Sequence, residues 1–137
     1  MSVVVGAEDL LLVALPLEAV ARAAPALTGA TSFVSLTVDD REATLVLPAL
    51  AWQTMAERFA SATVAGPYRL VTFDLPLDLG LVGFLAAVAR ALAERSLPLY
   101  ALSAFSRDHL LARSADAPAA AGALAELRRR ARRVCSI

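Results

Sequence analysis

The sequence predicts an α+β fold made of two similar halves. Each is a split βαβ unit, an antiparallel sheet covered on one face by two helices. Two observations carry this reading. Strand-like and helix-like segments succeed one another as strand, helix, hairpin, helix, and the order then repeats. The chain has 137 residues, enough for one ordinary domain or two very small ones, and 58% of them are hydrophobic, which excludes disorder. The expected units are residues 1–65 and 66–137, with the seam near Gly66-Pro67.

In the first half, Asp9 to Leu15 is an apolar run of strand length, and Leu17 to Leu27 reads as a short amphipathic helix ending near Thr28-Gly29. Ser32 to Val38 alternates, with Phe33, Val34, Leu36 and Val38 against Ser32, Ser35 and Thr37. Asp39-Asp40 supplies turn chemistry, and Ala43 to Leu47 follows as the hairpin partner. Trp52 to Ala60 has helical spacing, with Trp52, Met55, Ala56 and Phe59 on one face.

The second half repeats this order. Tyr68 to Leu75 is β-rich, and Pro76 to Gly80 is a loop with Asp78 as expected N-cap. Leu81 to Arg95 forms a helix whose apolar face is Leu81, Phe84, Leu85, Val88 and Leu92. Pro98 to Phe105 and His109 to Arg113 make a hairpin around Ser106-Arg107, and Asp116 to Arg133 is an Ala-rich helix with arginines at its end. Only Val134 to Ile137 remains for a closing strand, so that strand is very short or its place is filled from elsewhere.

Composition removes several function classes. Lys+Arg and Asp+Glu are both 13, so no positive field draws the chain to nucleic acid or to an anionic membrane. Every basic charge is arginine, read here as a composition bias without functional content. The greasiest uncharged run, Leu79 to Ala89, covers about half a bilayer at ~1.5 Å per residue. The start, Met1 to Leu15, lacks a positive n-region and carries Glu8 and Asp9, which argues against a secretory signal. One cysteine, Cys135, can form no internal disulfide, and no Cys/His cluster builds a zinc site. A cytoplasmic protein with no cofactor, no metal, no nucleic-acid partner and no membrane partner is the expectation.

Two stretches hold candidate chemistry. Pro76-Leu77-Asp78-Leu79-Gly80 precedes the strong helix, whose first amide N–H groups and positive dipole end suit a carboxylate or phosphate. Gly80 and Gly83 would let a ligand's main chain come close, although spacing alone favours the plainer reading that Gly83 merely allows tight helix–sheet packing. The second stretch is Ser103-Ala104-Phe105-Ser106-Arg107-Asp108-His109. Asp108 can receive an ammonium and His109 can titrate near neutral pH, while the plainer reading makes Arg107 and Asp108 turn residues and His109 a half-exposed strand residue. No Ser, His and acid have the order or spacing of a nucleophilic triad. The run Arg128-Arg129-Arg130 with Arg132-Arg133 reads as the solvated end of a helix.

The segment Tyr68 to Leu127 resembles the ACT domain, a small ligand-binding regulatory module of ferredoxin-like (βαββαβ) topology. The similarity is to the tandem-ACT subgroup that includes the animal cytosolic arginine sensor and many small bacterial proteins. It is carried by Pro76 to Leu85, matching the family's loop and helix start, and by Leu102 to Leu111, matching a pattern of Ser, small residue, aromatic, two variable positions, Asp, then aromatic or His. The first half agrees in element order rather than residue identity.

The resemblance implies two ACT-type units and a free amino acid bound between units. Its main-chain groups would meet Asp78, Gly80, Leu81, Val82 and Gly83, with Ser103 and Asp108 on the hairpin side. Asp108 matches the hairpin aspartate that contacts arginine in the animal sensor, but Leu81 stands where that sensor has a glutamate. Half of the acidic grip on a guanidinium is therefore missing, and burying that cation against Leu81 costs several kcal/mol unless another acid pairs it. An altered side-chain preference, smaller or more apolar, is expected, with arginine left open. The resemblance also implies a non-catalytic role, a homo-oligomer joined through sheet edges or helices, and an unidentified downstream protein. The alternative is a ligand-free module of the same fold that serves dimerisation, and a third reading is an enzyme using His109 and Asp108.

Overall fold

The computed structural model describes residues 2–30, 32–74 and 82–135. The chain divides into two compact units, Glu8–Tyr68 and Met1–Ala7 with Arg69–Ile137. Residues 1–7, expected in the first half, thus group with the second.

In Glu8–Tyr68 the strands are β2 (Leu10–Leu15), β3 (Ser35–Val38), β4 (Ala43–Pro48) and the first part of β5 (Thr63–Asp74), in the order β3-β4-β2-β5. β2 pairs antiparallel with both β4 and β5, which makes it central and explains its unbroken run of apolar side chains. β3 and β4 form the expected hairpin, closed by Asp39, whose Oδ1 accepts from the N–H of Arg41 at 2.8 Å and of Glu42 at 2.9 Å. These bonds hold the Asp39 carboxyl below its ordinary range.

The helices here are shorter than the periodicity predicts. Leu17 to Leu27 is one 3-10 turn (Leu17–Ala19) and two short helices, α1 (Val20–Ala23) and α2 (Pro25–Thr28). Pro25 has no N–H to continue the ladder and instead opens a new helix at its first position. Trp52 to Ala60 contains the end of α3 (Ala49–Gln53) and a 3-10 turn at Ala56–Arg58. The expected face still points inward: Trp52, Met55 and Phe59 join Val13, Leu15, Leu45 and Leu47 in one core, with the Trp52 and Phe59 rings 5.8 Å apart.

The other unit has the order β1-β5-β7-β6, with β1 (Ser2–Val5), β6 (Tyr100–Ser103), β7 (Asp108–Arg113), α4 (Phe84–Ala93) and α5 (Ala117–Cys135). β1 answers the question of the closing strand. Val134 and Cys135 belong to α5, and the outer position beside β5 is taken by Ser2–Val5, in register Ser2↔Asp74 through Val5↔Val71. The ladder extends to Gly6, whose N–H donates to the Leu70 carbonyl at 2.8 Å.

The core of this unit joins Val71 and Phe73 of β5, Val88 and Leu92 of α4, Leu110 and Ala112 of β7, and Ala120, Ala123 and Leu124 of α5, with Val3 packed against it. Phe84 meets Phe73 edge-on at 5.1 Å. The expected seam at Gly66-Pro67 is interior to β5, where the register against β2 shifts between Leu10↔Tyr68 and Leu12↔Ala65. β5 carries one more residue than β2 across that step, and Gly66 supplies it with φ at 129°.

Candidate functional site

The best-formed polar grouping sits at the β6–β7 hairpin. Ser103 and Asp108 are cross-strand partners, and the Ala104 N–H donates to the Arg107 carbonyl at 2.9 Å to close the turn between them. Ser103 Oγ donates to Asp108 Oδ1 at 2.8 Å. Among the described residues Asp108 Oδ2 has no partner, so the carboxylate is oriented by one oxygen and offers the other. Asp108 is half-buried while Ser103 to Arg107 are exposed, so a group that reaches Asp108 loses part of its water.

Alternation along β7 fixes what Asp108 faces. Leu110 and Ala112 lie in the core under α4 and α5, so Asp108 is on the helix-covered side of the sheet and His109 on the other. His109 is 7% exposed rather than half-exposed, and its Nδ1 meets Thr72 Oγ1 at 2.9 Å. Burial lowers its pKa below 6.5; nearby Arg107 adds to the shift and Asp108 opposes it. Neutral at pH 7 and turned to the opposite face, His109 is poorly placed to share chemistry with Asp108. The Thr72–His109 contact puts the far end of β5 and the hairpin at one end of the sheet.

The predicted residues of the other stretch divide. Asp78, Gly80 and Leu81 lie outside the described residues, and so does the expectation that Asp78 caps the helix. The residue at the N-cap of α4 is Gly83, with φ at 89°, a left-handed conformation that favours glycine. Its carbonyl accepts the Ala87 N–H at 3.0 Å, so the helix begins three residues later than the periodicity predicts. Val82 is 93% exposed. The structure therefore brings Ser103 and Asp108 together, while Val82 and Gly83 stand on a separate element, at the start of α4. The amides of that first turn lack carbonyl partners within the helix and can meet a carboxylate.

In the arginine run at the end of α5, Arg129 Nη2 lies 2.6 Å and Arg130 Nε 3.4 Å from the carboxylate of Glu126 on the same helix, while the side chains of Arg132 and Arg133 lie outside the described residues. Among the described residues no group of His, Cys, Asp and Glu is arranged to hold a metal ion, and no helix is long and apolar enough to cross a membrane.

A sequence profile of the ACT domain matches residues 64–126, the stretch that contains the hairpin, α4 and most of β5. No curated protein matches the sequence significantly. Solved structures share the fold over nearly the whole chain. An Agobacterium tumefaciens protein is 24% identical, with a TM-score of 0.71, covering 91% of this chain and 87% of its own. A Vibrio cholerae protein described as of unknown function and possibly in transport is 24% identical, with a TM-score of 0.69, covering 92% and 88%. The regulatory subunit of aspartate kinase from Thermus thermophilus, in ligand-free form, is 14% identical with a TM-score of 0.70, covering 93% and 97%. The chain is thus an α+β protein with an ACT-like fold, consistent with the resemblance carried by its second half.

Proposed function

We propose that this chain is a non-catalytic regulatory protein that binds a free amino acid at an interface between ACT-type units, both of its compact units being of that type. The observation that carries the reading is the Ser103–Asp108 pair, a carboxylate held by one oxygen and open at the other, on the helix-covered side of the sheet inside the ACT-matching segment. A free amino acid is a zwitterion and needs donors for its carboxylate and an acceptor for its cation. The first-turn amides of α4 supply the former and Asp108 the latter. Asp78, Gly80, Leu81, Val82 and Gly83 complete the proposed site, and the apolar Leu81 directs it toward side chains smaller or less charged than arginine. Likeness to a regulatory subunit of aspartate kinase supports a regulatory role passed on to a separate protein. Self-association through sheet edges or helices, and a cytoplasmic location, belong to the same proposal.

Calorimetric titration with each free amino acid tests it. Saturable binding of one or a few, weakened at least tenfold by Asp108→Ala, is the expected result. Heats indistinguishable from dilution across the panel would refute it. One observation favours the second reading, a ligand-free dimerisation module. Val82 (93% exposed) and Phe105 (84% exposed) leave large apolar side chains in water beside the same elements. That reading predicts a melting temperature that rises with protein concentration and ignores amino acids.

A further inference from the structure

A cavity lies away from the hairpin. It lies within Glu8–Tyr68, between α2, α3 and β4, and measures about 470 Å³, within the range of small-molecule sites. Its apolar lining includes Leu47 and Met55, both buried in the core, and Ala26. Its polar lining includes Arg22, Arg58 and Glu8.

The two arginines are organised differently. Arg22 Nη1 donates to the Arg58 carbonyl at 2.6 Å, and its guanidinium carbon lies 5.1 Å from the centre of the Phe59 ring. A charge-assisted bond and a cation–π contact thus fix that guanidinium in place. Arg58 is held through its main chain, and among the described residues its side chain has no ion-pair partner; neither has Glu8. Two fixed-charge cations and one carboxylate leave the cavity net positive over an apolar floor. A polyphosphate would gain nothing from Met55, Ala26 and Val34, and a purely apolar molecule would desolvate the arginines without pairing them.

We propose that this cavity is a second ligand site, taking a small carboxylate with an apolar tail, its carboxylate on Arg22 and Arg58 and its tail on Met55, Ala26 and Val34. The site shares no residue with the hairpin and stands independently of the function proposed above.

The protein carries its own reporter. Trp52 is the single tryptophan, it belongs to the same core as Leu47 and Met55, and its neighbours Ala51 and Thr54 line the cavity. Titrating the full chain with 4-methylpentanoate is expected to change Trp52 emission saturably, while the uncharged 4-methylpentanamide leaves it unchanged. Arg58→Ala retains the main-chain carbonyl that holds Arg22, and its circular dichroism should match that of the parent. It is expected to weaken the acid at least tenfold, with Arg58→Lys recovering part of the loss. Asp108→Ala should leave the titration unaltered, so failure here and failure at the hairpin are distinguishable. An emission change that does not saturate, equal responses to acid and amide, or an unaltered affinity in folded Arg58→Ala would overturn the proposal.

Discussion

The most informative test of the fold is at β1, because an N-terminal segment completing the unit built from Arg69 onward is the feature least expected from local sequence. Antiparallel pairs alternate between hydrogen-bonded and non-hydrogen-bonded. The Gly6 N–H donates to Leu70, so the residue two places earlier, Val4, also directs its N–H at β5, opposite Thr72. Val4 is 50% exposed, so little of its side-chain burial is at stake. Val4→Pro removes that donor, worth about 0.5–1.5 kcal/mol net, and leaves the Thr72 carbonyl unpaired at a further cost of about 1–3 kcal/mol. The expected total is about 1.5–4.5 kcal/mol, against about 0.5 kcal/mol for Val4→Ala, which keeps the bond. At this chain length the proline variant should melt roughly 5–14 °C lower than the parent. Urea unfolding followed by Trp52 emission and by circular dichroism gives the difference directly, with the alanine variant as the side-chain control. Equal stabilities for Val4→Pro and Val4→Ala would show that β1 does not close this sheet.

Other expectations follow from single sites. Gly66→Ala places a Cβ 3.1 Å from the Leu10 carbonyl oxygen in a backbone with φ at 129°, and should cost about 1–3 kcal/mol in chemical denaturation. Leu92→Ala, at a fully buried position on α4, should cost about 3–5 kcal/mol, measured the same way. His109 binds its proton less readily folded than unfolded, so its contribution to stability is complete above about 6.5 and is lost as pH falls from there through the folded pKa. Stability measured from pH 7.5 to 5 should therefore decline in the parent and stay flatter in His109→Gln; parallel curves would contradict the burial argument.

Which parts of this were legible beforehand depends on the range of the interactions involved. The β3–β4 turn at Asp39 is local, so turn residues and alternation are enough to read it; the β6–β7 hairpin is legible as a hairpin, but β6 stops at Ser103 and the turn spans Ala104 to Arg107 rather than Ser106-Arg107 alone, so the Ser103–Asp108 register is not what the sequence predicts. The Ala24-Pro25 break is also local but was obscured by apolar spacing that continues through it; proline chemistry outweighed periodicity. β1 carries no turn signal linking it to β5, and its pairing spans some seventy residues, so local pattern could not reveal it. The same is true of the cavity, assembled from Glu8, Arg22 and Arg58, and of the His109–Thr72 contact across two strands. His109 is 7% exposed where sequence predicts a half-exposed ring, because a histidine bounded by Asp108 and the apolar Leu110 gives no sign that its own face of the sheet is covered.

The proposal of amino-acid binding meets its most direct test in thermal melts against all twenty free amino acids, run at two protein concentrations on the parent and on Asp108→Ala. A ligand at 100 times its Kd stabilises by about 2.7 kcal/mol, a rise of several degrees for a chain of this size. The account predicts such a rise for one or a few amino acids in the parent at both protein concentrations, lost in Asp108→Ala. A flat panel at both concentrations, or an equal rise in the variant, would contradict it.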